Sequence, residues 1–126
     1  MVTTTVLYIA GPMTGIKDYN YPAFNAAAER LRACGYDVLN PADTEALNPT
    51  PGRPQSWRWY MRHALGMVLN CQAVATLPGW PASPGASLEV YVARRLEMPV
   101  HPVHTWESWR PSLADLDLEE RQARRG

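Results

Sequence analysis

Four short apolar runs alternate with three amphipathic stretches along this chain, and no other feature narrows the possible folds as far. TTTVLYIAG (Thr3 to Gly11) is β-branched and apolar and stops at Gly-Pro, which reads as a buried strand closed by a turn. PMTGIKDYNY is then a polar, glycine-containing loop. In PAFNAAAERLRACGY, Pro22 suits a first helical position and Phe24, Ala27, Ala28 and Leu31 form a helical apolar stripe; Gly35 is a fitting stop. YDVLNP (Tyr36 to Pro41) is a second short strand. ADTEALNPTPGRPQ carries three prolines and a glycine and reads as a long loop, a kind that is often functional in compact domains. Ser56 is a good N-cap for WRWYMRHALGMVLN, which sets Trp57, Tyr60, Met61, Ala64, Leu65, Val68 and Leu69 on one face. CQAVATLPG is a third strand. A third helix opens with Ser83 as cap and Pro84 as first residue. MPVHPVH reads as a fourth strand, and Pro102 inside it predicts a sheet edge.

A β-α-β-α-β-α-β order implies a parallel sheet with right-handed crossovers and helices on both faces. The length of 126 residues and the 46% hydrophobic content suit one domain, placed at residues 1–109. Residues 110–126 form a charged C-terminal tail, either a solvated end or a dimer contact. Lys+Arg and Asp+Glu each number 12, so bulk electrostatics give no reason to expect polymeric nucleic acid or an anionic membrane as partner. No run of about 18 apolar residues and no signal peptide is present, so a soluble, cytoplasmic protein is expected. Cys34 and Cys71 are too few and too scattered for a disulfide framework or a metal knuckle and read as small core residues. His101 and His104 lack a third ligand at sensible spacing, so no metal is expected, and no motif calls for a cofactor.

Open α/β sheets bind ligands beyond the carboxyl ends of their strands. The loops there are GPMTGIKDYNY, NPADTEALNPTPGRPQS and PGWPASPGAS. None matches a dinucleotide fingerprint or a phosphate-binding loop of the nucleoside triphosphatases. One carboxylate is conspicuous. Glu89 falls in the second turn of the third helix, with Gly85, Ala86, Ala93 and Leu96 at helical spacing, a small and apolar stripe suited to packing on the sheet. A buried carboxylate without a cation is costly and is offset by hydrogen bonds or by function. Periodicity leaves open a functional acid or a glutamate tilted toward solvent.

YIAGPMTG (Tyr8 to Gly15), NYPAFNAAAERLRACGYDVLNPA (Asn20 to Ala42) and LPGWPASPGASLE (Leu77 to Glu89) together resemble the nucleoside 2-deoxyribosyltransferase superfamily. The likeness is strongest to its compact, phage- and prophage-associated branch, known as a domain of unknown function (DUF4406). The resemblance implies a flavodoxin-like three-layer sandwich with a parallel sheet of four to five strands in the order 2-1-3-4. It also implies N-glycosidic chemistry, transfer or hydrolysis, on a nucleoside or nucleoside 5′-monophosphate. In that chemistry Glu89 is the nucleophile that forms a covalent glycosyl intermediate, and Tyr8 orients it. Gly11, Pro12 and Met13 would line the pocket near sugar and base, and Ser83 and Gly85 would meet the sugar hydroxyls or a 5′-phosphate. Trp80 would stack on the base, with Tyr21 and Trp57 as weaker candidates. The transferases assemble as homodimers or larger oligomers, which makes HTWESWRPSL a candidate interface.

One departure matters. The transferases carry an aspartate on the second helix that assists protonation of the leaving base, and another at the opening of strand three. The corresponding positions here are His63 and Gln72. His63 is either a substitute acid, an ordinary helix histidine, or a sign that the reaction is lost. The rival to an enzyme is therefore a nucleotide- or nucleobase-sensing module of the same fold.

Overall fold

The computed structural model describes residues 4–109. Strand β1 (Val6–Ala10) leads through a 3-10 turn, Lys17–Asn20, into helix α1 (Tyr21–Ala33). Strand β2 (Asp37–Leu39), a 3-10 segment Pro41–Leu47 and helix α2 (Trp57–Leu69) follow. Strand β3 (Ala73–Thr76), a 3-10 turn Trp80–Ala82 and helix α3 (Pro84–Arg95) form the next unit. The described chain ends in β4 (Val100–Pro102) and α4 (Val103–Ser108). The predicted tail, 110–126, lies outside the described residues.

The four strands are all parallel in the order β2-β1-β3-β4, with helices on both faces, a flavodoxin-like α/β arrangement. Period-2 alternation in β1 divides the core. Leu7 and Ile9 face α1 and α4 and join Phe24, Ala27, Ala28, Leu31 and Trp106. Tyr8 and Ala10 face α2 and α3 and join Ala64, Val68, Val90 and Ala93. Leu7, Ile9 and Phe24 are fully buried, and each contributes about 2–3 kcal/mol of burial free energy. Pro102 does sit on an edge strand, where the missing N–H costs no ladder bond. Cys71 is a buried core residue whose thiol donates to the Val68 carbonyl, and Cys34 packs at the margin of the other cluster.

Three local expectations are corrected. The segment after β2 is not loop throughout: Asn40 Oδ1 accepts the Ala42 N–H and starts the 3-10 segment. The fourth strand is only three residues long, because α4 begins directly after Pro102. The apolar face of α2 is narrower than the pattern implied. Met61, Ala64 and Val68 are buried, whereas Leu69 is exposed, lying about 100° around the helix from Val68. Trp57 is exposed as well, because the first turn of α2 overhangs a cleft rather than the sheet.

Among the described residues, no helix is long and apolar enough to cross a membrane.

Candidate functional site

A cavity of about 360 Å³ opens beyond the carboxyl end of β1, within the size range of small-molecule sites. Its floor is Tyr8 and Glu89. One wall comes from the loop after β1 and the start of α1 (Gly11, Met13, Thr14, Tyr19, Tyr21). A second comes from the segment after β2 and the first turns of α2 (Pro41, Thr44, Gln55, Trp57, Tyr60, Met61). The N-terminus of α3, Ser83–Ala86, supplies a third.

Two glycines allow the close approach. A Cβ on Gly11 would lie 2.8 Å from the Leu77 Cβ, so only glycine lets the end of β1 meet that side chain. A Cβ on Gly85 would lie 3.1 Å from the Met61 sulfur, where α3 presses on α2. Ser83 caps α3 as expected: its hydroxyl oxygen accepts the Ala86 N–H, and its own proton stays available to a ligand.

Glu89 is 5% exposed, on the face of α3 turned to the sheet. The Tyr8 hydroxyl, itself fully buried, donates to Glu89 Oε2 at 2.6 Å. Among the described residues no cation accompanies the pair. Burial pushes the Glu89 carboxyl up to about 8, and the Tyr8 hydrogen bond opposes that rise. Tyr8 is itself raised well above its ordinary value, first by burial and then by the charge and hydrogen bond of Glu89. It therefore stays a donor across the physiological range. At neutral pH Glu89 holds a proton; slightly above it, a desolvated carboxylate appears with a single phenol bond fixing one oxygen. Such a group is a strong nucleophile or base toward anything seated in the cleft.

Tyr8→Phe separates these effects. Loss of the bond that favours the carboxylate moves the Glu89 titration to higher pH, and any reaction that needs the carboxylate slows by about 10- to 100-fold at pH 7. A pH titration of the Glu89 side-chain carboxyl by carbon-detected NMR in both proteins checks the direction. An unmoved or lowered midpoint in the variant overturns it.

The structure brings Tyr8, Glu89, Gly11, Met13, Ser83, Gly85, Tyr21 and Trp57 into one cavity and leaves three expected residues out of its lining. Pro12 turns its carbonyl to the Asn20 amide, and its ring lies near Gly79. Trp80 packs on the α2–α3 core cluster with the Arg94 guanidinium 5.6 Å above its ring. His63 lies against Trp59, ring centroids 4.4 Å apart. Gln72 serves the sheet instead, its Oε1 accepting the Val6 N–H. His101 packs on Trp106, and no group of three or more His, Cys, Asp or Glu gathers among the described residues.

Sequence reasoning missed Thr44, Gln55 and Tyr60, as well as Tyr19, whose backbone lies in the left-handed region at φ 52° beside Asp18 and Asn20. A run of three such non-glycine residues is strained, and strain of this kind gathers at binding sites. The length of the Pro-rich loop was the one available signal for the α2 wall.

Residues 5–102 match the model of a family described as Domain of unknown function (DUF4406). No curated protein matches the chain.

Proposed function

We propose that this chain, which belongs to the DUF4406 family, is an N-glycosidic bond enzyme of the nucleoside 2-deoxyribosyltransferase kind, with Glu89 as its nucleophile. The observation that carries the reading is the buried Tyr8–Glu89 pair, 2.6 Å apart, at the floor of an aromatic-lined cavity. The ionised Glu89 oxygen attacks the anomeric carbon as the bond from that carbon to the base nitrogen breaks. The base takes up a proton and leaves, and a glycosyl ester on Glu89 remains. A second base or water then attacks the same carbon and frees the carboxylate. Tyr8 holds the attacking group in place, Ser83 meets a sugar hydroxyl, and Trp57, Tyr19 and Tyr21 offer aromatic surface to a base. The partners are a nucleoside or nucleoside 5′-monophosphate and further copies of the same chain.

A second reading, a nucleobase-sensing module, is favoured by one observation: the helix position that carries the base-protonating acid in the transferases is His63, which stacks on Trp59 outside the cavity lining.

The test is chromatography of ribo- and 2′-deoxynucleosides and their 5′-monophosphates after incubation with the protein, with and without a second free base. Base release or exchange supports the enzyme and identifies the acceptor. If every substrate is returned unchanged, the enzyme reading falls, and ligand-induced shifts in melting temperature decide the sensor.

A further inference from the structure

We propose that the α2 wall of the cavity selects heterocycles bearing an exocyclic amino group over their oxo counterparts through Gln55 and Tyr60, with Thr44 as a further partner for the ring. The proposal rests on the reading of the cavity as a nucleobase site and adds which bases it takes.

The argument is one of hydrogen-bond accounting. Asn48, buried in the loop before α2, has a fixed orientation: its Oδ1 accepts the Thr50 N–H at 2.9 Å, and its Nδ2 donates to the Arg53 carbonyl at 2.8 Å. Gln55 must therefore turn its Nε2 toward Asn48 Oδ1, at 2.9 Å, and that nitrogen also donates to Thr50 Oγ1 at 2.8 Å. Both amide protons are spent, and no donor among the described residues reaches Gln55 Oε1. An amide flip would set two donors or two acceptors face to face, so the exchange of O for N is excluded.

Tyr60 is committed in a similar way. Its hydroxyl donates to Glu45 Oε2 at 2.9 Å and accepts the Gln55 N–H at 3.2 Å, which leaves a lone pair and no proton. Two residues lining the cavity thus present acceptors alone. Thr44 is the third. It is 3% exposed, lines the cavity, and its hydroxyl finds no partner among the described residues. A buried hydroxyl left unpaired is unfavourable, and a ligand that pairs it recovers that loss on binding.

An amino-substituted base fits this pattern. Its exocyclic N–H groups go to the Gln55 and Tyr60 oxygens, and the adjacent ring nitrogen accepts the Thr44 proton. An oxo base turns a carbonyl toward the Gln55 and Tyr60 acceptors, and the wall repels it; the Thr44 hydroxyl, able to donate or accept, pairs with the ring of either kind of base.

The experiment is isothermal titration of the full chain with free adenine, hypoxanthine, cytosine and uracil, which have no glycosidic bond to break. Adenine is expected to bind about tenfold tighter than hypoxanthine, and cytosine tighter than uracil by a similar factor. Equal affinities, tighter oxo bases, or no binding of any base at millimolar concentration overturns the proposal, whether or not nucleosides are cleaved. Amino preference without cleavage of any nucleoside supports the proposal and removes the enzyme reading instead.

Thr44→Val is the decisive variant. Loss of an unpaired buried hydroxyl is expected to raise the melting temperature of the ligand-free protein by about 3–5 °C. The same variant is expected to weaken adenine binding about fivefold or more. A merely structural threonine would move the first quantity and not the second, so unchanged adenine affinity in a folded variant overturns the role of Thr44.

Discussion

Glu89→Gln is expected to reduce base release from a cleaved nucleoside by on the order of a thousandfold or more, while substrate affinity stays within a small factor of the parent's. The amide keeps the shape of the carboxyl, and its Oε1 can still accept the Tyr8 proton now given to Glu89 at 2.6 Å. What it lacks is an oxygen able to form a glycosyl ester. Single-turnover chromatography measures the loss, and mass spectrometry of acid-quenched wild-type protein looks for the sugar adduct on the peptide that contains Glu89. The pH profile adds a second constraint. Because the free protein holds Glu89 protonated up to about pH 8, kcat/KM should rise with unit slope through pH 6 and 7 and level off above 8. A variant that retains turnover, or a profile flat from pH 6 to 9, would remove Glu89 from the chemistry.

The same proton governs stability, in a direction opposite to that of most carboxylates. In the unfolded chain Glu89 titrates near its ordinary 4.5; in the fold it titrates near 8. Between those values the folded protein binds one more proton than the unfolded one, so stability falls as pH rises. The contribution is complete below about pH 4.5 and gone above about pH 8. Three and a half units at 1.36 kcal/mol each set its ceiling at roughly 5 kcal/mol. Glutamine has no proton to lose. Glu89→Gln and the parent should therefore unfold at similar urea concentrations at pH 5, and the variant should be the more stable by several kcal/mol at pH 9. Every other titrating group is common to the two proteins and cancels in the difference. Parallel stability curves from pH 5 to 9 would sink the assignment. Taken together, the two expectations place activity and stability in conflict over one proton.

How much of this could be read from residues alone varies with the kind of order involved. The β-α alternation is written in apolar periodicity, and so are the buried stripe of α1, the cap at Ser83 and the edge position of Pro102. Glu89 was legible because a carboxylate on a stripe of small residues violates the pattern around it. Tyr8 as its partner came from the resemblance; alternation in β1 alone would have made it one more core aromatic. His63 was a matter of helix phase. Met61 lines the cavity, and two residues further on at 100° each the chain points about 200° away. The resemblance puts Trp80 beside the base, yet a 3-10 turn carries it onto Arg94. The least legible part was the α2 wall. Residues 41–55 have no repeat that would reveal a facing side; their shape is set by Asn40 and Asn48 bonding to nearby backbone, and such local bonds leave no periodic trace.

The buried acid also changes how the molecule moves in an electric field. Twelve basic and twelve acidic side chains balance on paper, but a fold that keeps Glu89 protonated near pH 7 is more positive than that formal balance. The unfolded chain should focus near its sequence value of about 6.8, and the native protein at a higher pH. Isoelectric focusing across a transverse urea gradient would show both: a band that steps toward the acidic side where the fold is lost, and one that keeps its position when residue 89 is glutamine.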